Sequence, residues 1–226
     1  MRGRTFVFGS SGFLFRSNKL MYDQQTKSLW HHMRGEPVVG PLADSGIKLR
    51  LLPIVITTWQ EWRDEHPDTQ VLDLDTGHTR DYRPGRPYGR YFASPDTMFP
   101  VSPRSGRLGA KDYVFALRLG GQAKAYPLDV LAREPVVNDA VAGTSVVIVA
   151  HPASRTARAY ERGAGRFRAG AGKTELVEEA SGQAWAVEEE ALVNRTTGQR
   201  LPRLPGHIAY WFGWYAFYPT TQVYEK

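Results

Sequence analysis

The chain has 226 residues, 42% hydrophobic and 12% aromatic, which suits one large folded domain or two small ones and excludes a disordered segment. Its formal net charge is +6, from 29 Lys and Arg against 23 Asp and Glu, but the arginines are spread without a dense basic run, which argues against a nucleic-acid partner. There is no cysteine, so disulfides, thiolate catalysis and Cys-ligated metals are excluded, and no apolar run reaches the ~18 residues that a membrane-spanning helix requires.

The N-terminal stretch Met1–Phe8 lacks an apolar core long enough for a signal peptide. Thr5–Phe8 alternates and predicts a strand, Gly9–Gly12 a flexible turn, and Phe13–Phe15 a resumed strand. Lys19–Tyr22 and Ser28–His31 are further short strands around an Asp23–Thr26 turn. His31 and His32 are adjacent and would point to opposite faces of a strand, so they cannot share a metal without a bend. Ile47–Leu51 alternates as a half-buried strand, closed by Pro53.

Trp59–Val71 then forms a compact unit. Thr58 and Glu61 fit a capping box. Trp59, Trp62 and His66 fall on one helix face, and Pro67 ends the helix. The same design returns at Trp211–Val223, where six of thirteen positions are identical without a gap. About one identity is expected by chance, so the pattern reads as an internal duplication. Weaker echoes support it: Ser181–Trp185 resembles Thr26–Trp30, and Thr197–Pro205 resembles Gly46–Pro53. Aromatic stripes on helices face cores by default. Trp30, Trp59, Trp62, Trp185, Trp211 and Trp214 are therefore expected to be structural.

Residues 76–107 are loop-rich, with Arg80, Arg83, Arg86 and Arg90 interleaved with Tyr82, Tyr88 and Tyr91, and with Pro84, Pro87 and Pro95. Such a segment can hold an anion by charge and stacking, with Arg80, Tyr82 and Tyr88 as candidates. The plainer reading is a connector with its Tyr rings inward and its Arg heads in water. Next, Asp112–Leu119 and Gln122–Tyr126 flank Gly120-Gly121, a strong hairpin signal. Pro127–Leu131 is a short helical turn, Pro135–Val137 a strand and Asn138-Asp139 a turn. Thr144–Val149 is a buried strand with little alternation, and Thr156–Tyr160 follows as another. Glu175, Glu178, Glu179 and Glu188–Glu190 are expected to form a solvated acidic face.

These readings give a β-rich α+β protein, a meander of short antiparallel strands with a few short helices in two pseudo-repeated halves. Residues 1–75 form an incomplete first half, 76–110 the connector and 111–226 a complete second half, with one compact domain overall as the alternative. The hairpin, turn and buried strand that open the second half have no counterpart ahead of Thr5, so an unpaired strand edge and exposed apolar surface are expected in the first half.

The chain resembles the prokaryotic domain-of-unknown-function family 3179. The motifs are Phe8–Phe15, Leu20–Asp23, Thr26–Trp30, Gly35-Glu36, Gly40–Leu42, His66–Thr69, Arg80–Tyr82, Pro87-Tyr88, Phe99–Val101, Ala125–Pro127 and Val137–Asp139. The family name assigns no activity, and the resemblance implies an extracytoplasmic setting. It also implies a Cys-Pro-Leu-Cys element before the Phe-Gly strand, where His151-Pro-Ala-Ser154 stands here without either thiol. Relative to the family pattern an N-terminal part is expected to be missing. The first functional hypothesis is a ligand- or metal-binding module at the seam between the halves, for a small molecule or a protein partner. Its candidates are Tyr126, Asn138, Asp139 and His151, with His151 also a weak metal ligand and the connector as a lid. The alternatives are an enzyme, hydrolytic or redox, and a structural, partner-binding protein. No nucleophile elbow, zinc-protease spacing or nucleotide fingerprint supplies a mechanism for an enzyme, and neither cofactor nor substrate follows from the residues.

Overall fold

A computed structural model describes residues 3, 5–83, 85–86 and 88–225. Pro84 and Pro87 of the connector, and Met1, Arg2 and Arg4 ahead of the first strand, lie outside them. Among the described residues the protein is β-rich with four short helices, as expected. No helix among the described residues is long and apolar enough to cross a membrane.

The N-terminal sheet is an antiparallel meander of β1 (Phe8–Phe15), β2 (Asn18–Asp23), β3 (Leu29–His31) and β4 (Glu36–Val39). The Asp23 turn forms because the Asp23 carboxylate accepts from the Thr26 N–H and hydroxyl, at 2.5 and 2.7 Å, and from Trp30 Nε1 at 2.9 Å. Two expectations fail here. Gly9–Gly12 is not a turn: β1 runs through it with an irregularity between Ser10 and Leu14, and Ser11 Oγ donates to Leu20 O at 2.7 Å. A β-bulge thus absorbs the positive φ of Gly12 without ending the strand. Ile47–Leu51 keeps the alternating exposure of a strand but joins no sheet. Pattern alone cannot supply a partner.

After α1 (Trp59–Glu65) and the connector with α2 (Gly89–Ala93) comes the hairpin of β5 (Tyr113–Leu119) and β6 (Gln122–Pro127). Gly120 and Gly121 turn it at φ +51 and +83, values an L side chain resists. With β15 (Gly206–Tyr210) and β16 (Gln222–Val223) it makes a four-stranded sheet, ordered β15-β5-β6-β16. α3 (Leu128–Arg133) follows Pro127.

The remaining strands form an eight-stranded, barrel-like sheet. β7 (Val136–Val141), β8 (Thr144–His151) and β9 (Thr156–Glu161) run on through β14 (Arg200–Leu204), β13 (Ala191–Asn194), β12 (Ala184–Val187) and β11 (Glu175–Glu178) to β10 (Phe167–Ala169). Asn138 was expected in a turn with Asp139, yet both lie inside β7, because the turn falls at Ala142-Gly143 instead. The Asn138 amide donates to Phe167 O at 2.7 Å and accepts from Phe167 N at 2.8 Å, tying the first barrel strand to the last. Tyr160, Phe167, Leu176, Trp185 and Leu192 fill the interior. The outer face of β8 carries Val146 and Ile148 against Phe115, Leu117 and Tyr126 of the hairpin sheet. Being covered on both faces explains why this strand shows no alternation. The other face of the hairpin sheet receives α4 (Trp211–Phe217), with Trp211 and Trp214 set on Val114, Ala116, Ala123 and Ala125.

The two tryptophan segments have the same local geometry. Trp62 Nε1 donates to Thr69 Oγ1 and Trp214 Nε1 to Thr221 Oγ1, both at 2.9 Å. Trp62 and His66 rings lie 4.1 Å apart at 40°, Trp214 and Tyr218 rings 4.3 Å apart at 43°. The helices end alike, His66 at φ −134, ψ 71 and Tyr218 at φ −131, ψ 67. The meanders match too: Phe8 meets Trp30, and Phe167 meets Trp185, each edge-on at 5.4 Å.

Candidate functional site

β8 ends at His151, and its last residues open into a cavity of about 540 Å³, a size usual for small-molecule sites. The walls come from Arg107–Tyr113, α3, Ala150–Thr156 and Val223–Glu225. Four cationic side chains line it, Arg107, Lys111, Arg133 and Arg155, together with three carboxylates, Asp112, Asp129 and Glu225. Arg107 pairs with Glu225 at 2.6 Å, and Lys111 donates to Ser94 O at 2.7 Å and to Tyr91 O. Among the described residues Arg133 and Arg155 have no carboxylate partner. Arg155 lies over the Tyr113 ring at 5.1 Å. That ring stacks on Tyr210 at 4.6 Å, and the two hydroxyls are 3.0 Å apart. Burial first, and then the hydrogen bond with Tyr113, push the Tyr210 hydroxyl upward.

His151 also joins α1 to the barrel. Its Nδ1 is 2.9 Å from Glu61 Oε1, and its Nε2 meets Lys173 O. Each ring nitrogen thus faces an acceptor, and both bonds are made only when both nitrogens carry a proton. Burial pushes Glu61 upward, but hydrogen bonds from His151 and Ser154 outweigh it and hold the carboxyl below its usual range. Only half of the expected capping box therefore forms. Thr58 Oγ1 accepts from Glu61 N at 3.3 Å, while the Glu61 side chain reaches across to the barrel.

One turn further along α1, Glu65 and Glu189 share Arg158, with Nη2 at 3.1 and 2.7 Å, and Arg203 takes the second Glu189 oxygen. The Glu run is thus not wholly a solvated face. Burial pushes Glu189 up, and the Arg158 bond, then the Arg158 and Arg203 charges, bring it below its usual range. Ligand atoms of Glu65, His66 and Glu189 lie within 4.8 Å of one another. His66 Nε2 is buried there without a partner. Two carboxylates and an imidazole are a plausible donor set for a borderline divalent cation. The two guanidiniums already balance those carboxylates, however, so a cation would have to displace one of them.

A second contact of the same kind lies at the end of α4. Arg34 Nη2 donates to Phe217 O at 2.6 Å and Tyr218 OH to Met33 O at 2.7 Å. His31 stacks on Phe217 at 5.1 Å. Burial pulls His31 down to about 4; Glu36 opposes this, and Arg34, His32 and Arg16 reinforce it. Phe217 and Tyr218 occupy the α4 positions that Glu65 and His66 occupy in α1. Arg34 and Glu189 each stand four residues after the matched Trp30 and Trp185. The end of α1 therefore rests on the β12–β13 connection, and the end of α4 on the β3–β4 connection.

Of the expected site residues, only His151 lines the cavity. Tyr126 donates to Asp139 at 2.9 Å, and Lys124 pairs with Asp139 at 2.5 Å. Burial, then the Asp139 charge, push Tyr126 far up, while burial of Asp139 is outweighed by bonds from Lys124, Ala140 N and Tyr126, which hold it low. That cluster joins β6 to β7, as Asn138 joins β7 to β10. Arg80, Tyr82 and Tyr88 are exposed on the connector, Tyr82 and Tyr88 at 49% and 57%, and none lines the cavity. The expected inward Tyr rings are thus corrected for these two, because among the described residues no helix or strand packs over them. Trp30, Trp185, Trp211 and Trp214 are buried and Trp62 is partly so, but Trp59 is 52% exposed, against 1% for Trp211, since among the described residues no sheet covers α1. Sequence reading missed Glu61, Glu65, Arg133, Arg155, Arg158 and Arg203, and only the Thr58–Glu61 spacing marked any of them.

The family described as "Protein of unknown function (DUF3179)" matches residues 1–221, and the chain belongs to it. Comparison with curated proteins and with solved structures gave no match.

Proposed function

We propose that this member of the DUF3179 family is a ligand-binding module that takes a small anion, a carboxylate or a phosphate ester, into the cleft where β8 ends. The observation that carries this reading is the convergence of Arg107, Lys111, Arg133 and Arg155 on one cavity of about 540 Å³ with Arg133 and Arg155 unpaired among the described residues. A guanidinium without a carboxylate suits a planar anion, which it can grip through two N–H groups. Tyr113 and Tyr224 offer flat walls. The same place holds His151-Pro-Ala-Ser154, where the family resemblance puts a recurring motif. Calorimetric titration with succinate and with inorganic phosphate tests the reading. Binding by either, weakened about tenfold or more in Arg155→Ala, supports it; no heat from either anion, or an unchanged affinity in Arg133→Ala and Arg155→Ala, overturns it.

The reading includes an internal duplication, with residues 1–75 and 111–226 as the copies and 76–110 as connector. The shared Trp–Thr bonds and the corresponding helix-end contacts support it. A second reading, a divalent cation at Glu65, His66 and Glu189, is favoured by the unpartnered His66 Nε2. Metal analysis of the purified protein, with Glu189→Gln as control, separates the two sites.

A further inference from the structure

We infer that the open edge at Val55–Thr57, with the adjoining face of α1, is a docking surface for a β-hairpin of a partner polypeptide. The hairpin is one with the chemistry of β5–β6: small apolar side chains on the face that meets the helix.

The first observation is a free edge. Residues 47–58 alternate between half-buried and exposed as a strand does, yet join no sheet among the described residues; Leu49 N donates to Gly35 O at 2.8 Å and Ile54 O accepts from Arg203 at 3.0 Å. The N–H and C=O groups of Val55, Ile56 and Thr57 make no hydrogen bond there. Such an edge is a template for strand addition. The second is exposed apolar surface at the same place: Ile54 at 52%, Ile56 at 50% and Trp59 at 52%.

The third observation identifies the occupant. The matching stretch, β15 and α4, has the same place filled. β5 pairs antiparallel with β15, Ala116 opposite His207 and Val114 opposite Ala209. The same hairpin lays Val114, Ala116, Ala123 and Ala125 on Trp211 and Trp214, which fall to 1% exposure. One hairpin thus does both jobs, satisfying the edge and covering the indoles. His207 and Trp211 match Val55 and Trp59 by position, and α1 and α4 share their cap geometry. A hairpin seated as β5–β6 is would bond to Val55–Thr57 and cover Trp59 and Trp62. This surface is separate from the anion cleft and stands whether or not that cleft binds.

The test uses the full chain and a labelled synthetic peptide copying Asp112–Pro127. The expected result is saturable binding with slowed amide hydrogen exchange at Val55–Thr57. Ile56→Pro removes an N–H that bonds to nothing in the free chain, and Trp59→Ala removes the covered ring. Each is expected to weaken binding about tenfold or more while leaving the unfolding midpoint of the free chain nearly unchanged. No saturable binding, binding indifferent to both substitutions, or exchange at Val55–Thr57 already slowed in the free chain by self-association would each overturn the proposal.

Discussion

α1 and α4 are built alike and held differently. Each has seven residues, a Trp that donates to a Thr beyond the helix, and an aromatic ring at its cap. Yet α4 buries five residues and α1 none. The comparison separates two causes that are usually mixed. Local geometry follows from local chemistry: the Trp-x-x-Trp spacing, the proline stop and the Thr acceptor suffice to shape the turn. Burial follows from what is packed against the helix, and only α4 has the hairpin sheet. α1 is fastened instead by its carboxylates, Glu61 hydrogen-bonded to His151 and Glu65 paired with Arg158.

The largest expected difference lies in the inner indoles. Trp214→Ala empties a fully enclosed site and is expected to cost about 3–5 kcal/mol. Trp62→Ala removes a partly exposed ring and is expected to cost about 1 kcal/mol, the typical value for a point substitution. Chemical denaturation of both variants measures the gap. Equal costs would mean that α1 is as enclosed in solution as α4, against the asymmetry drawn here.

A smaller effect isolates the shared hydrogen bond. Thr221→Val leaves the buried Trp214 N–H without an acceptor, a cost of about 1–3 kcal/mol. Thr69→Val frees an N–H that water can reach, and about 0.5 kcal/mol is expected. If the two variants lose the same amount, the hydration argument fails.

The same division between local and distant causes governs what was legible in the residues. The β5–β6 hairpin, the Asp23 turn and both Trp helices were legible, because their signals lie within a few residues of one another. The Ile47–Leu51 strand was misread because alternation reports a half-buried face and not the presence of a neighbour. Gly9–Gly12 and Asn138-Asp139 were misread because turn residues also serve bulges and, for Asn138, a strand-to-strand tie across the barrel. At the candidate site His151 stood out as a lone histidine at a strand end. Glu61 and Glu65 meet His151 and Arg158 across 90 and 93 residues of chain, and a single sequence holds no trace of such a pairing.

The Glu61 fastening of α1 gives an effect that α4 cannot show, since Gly213 occupies the position matching Glu61. The Glu61 carboxyl is held below its usual range in the fold despite its burial, by His151 first and Ser154 next. A carboxyl lowered on folding stabilises the fold at pH values above its unfolded pKa, about 4.3 for Glu. That contribution fades as the pH falls through the lower folded value. Glu61→Gln is therefore expected to cost about 1 kcal/mol at pH 7 and progressively less below pH ~4, so that the two stability profiles converge in acid. Denaturant titrations of both proteins between pH ~3 and ~7 measure this. A constant gap across that range would show that shape, and not the carboxylate charge, fastens the exposed helix.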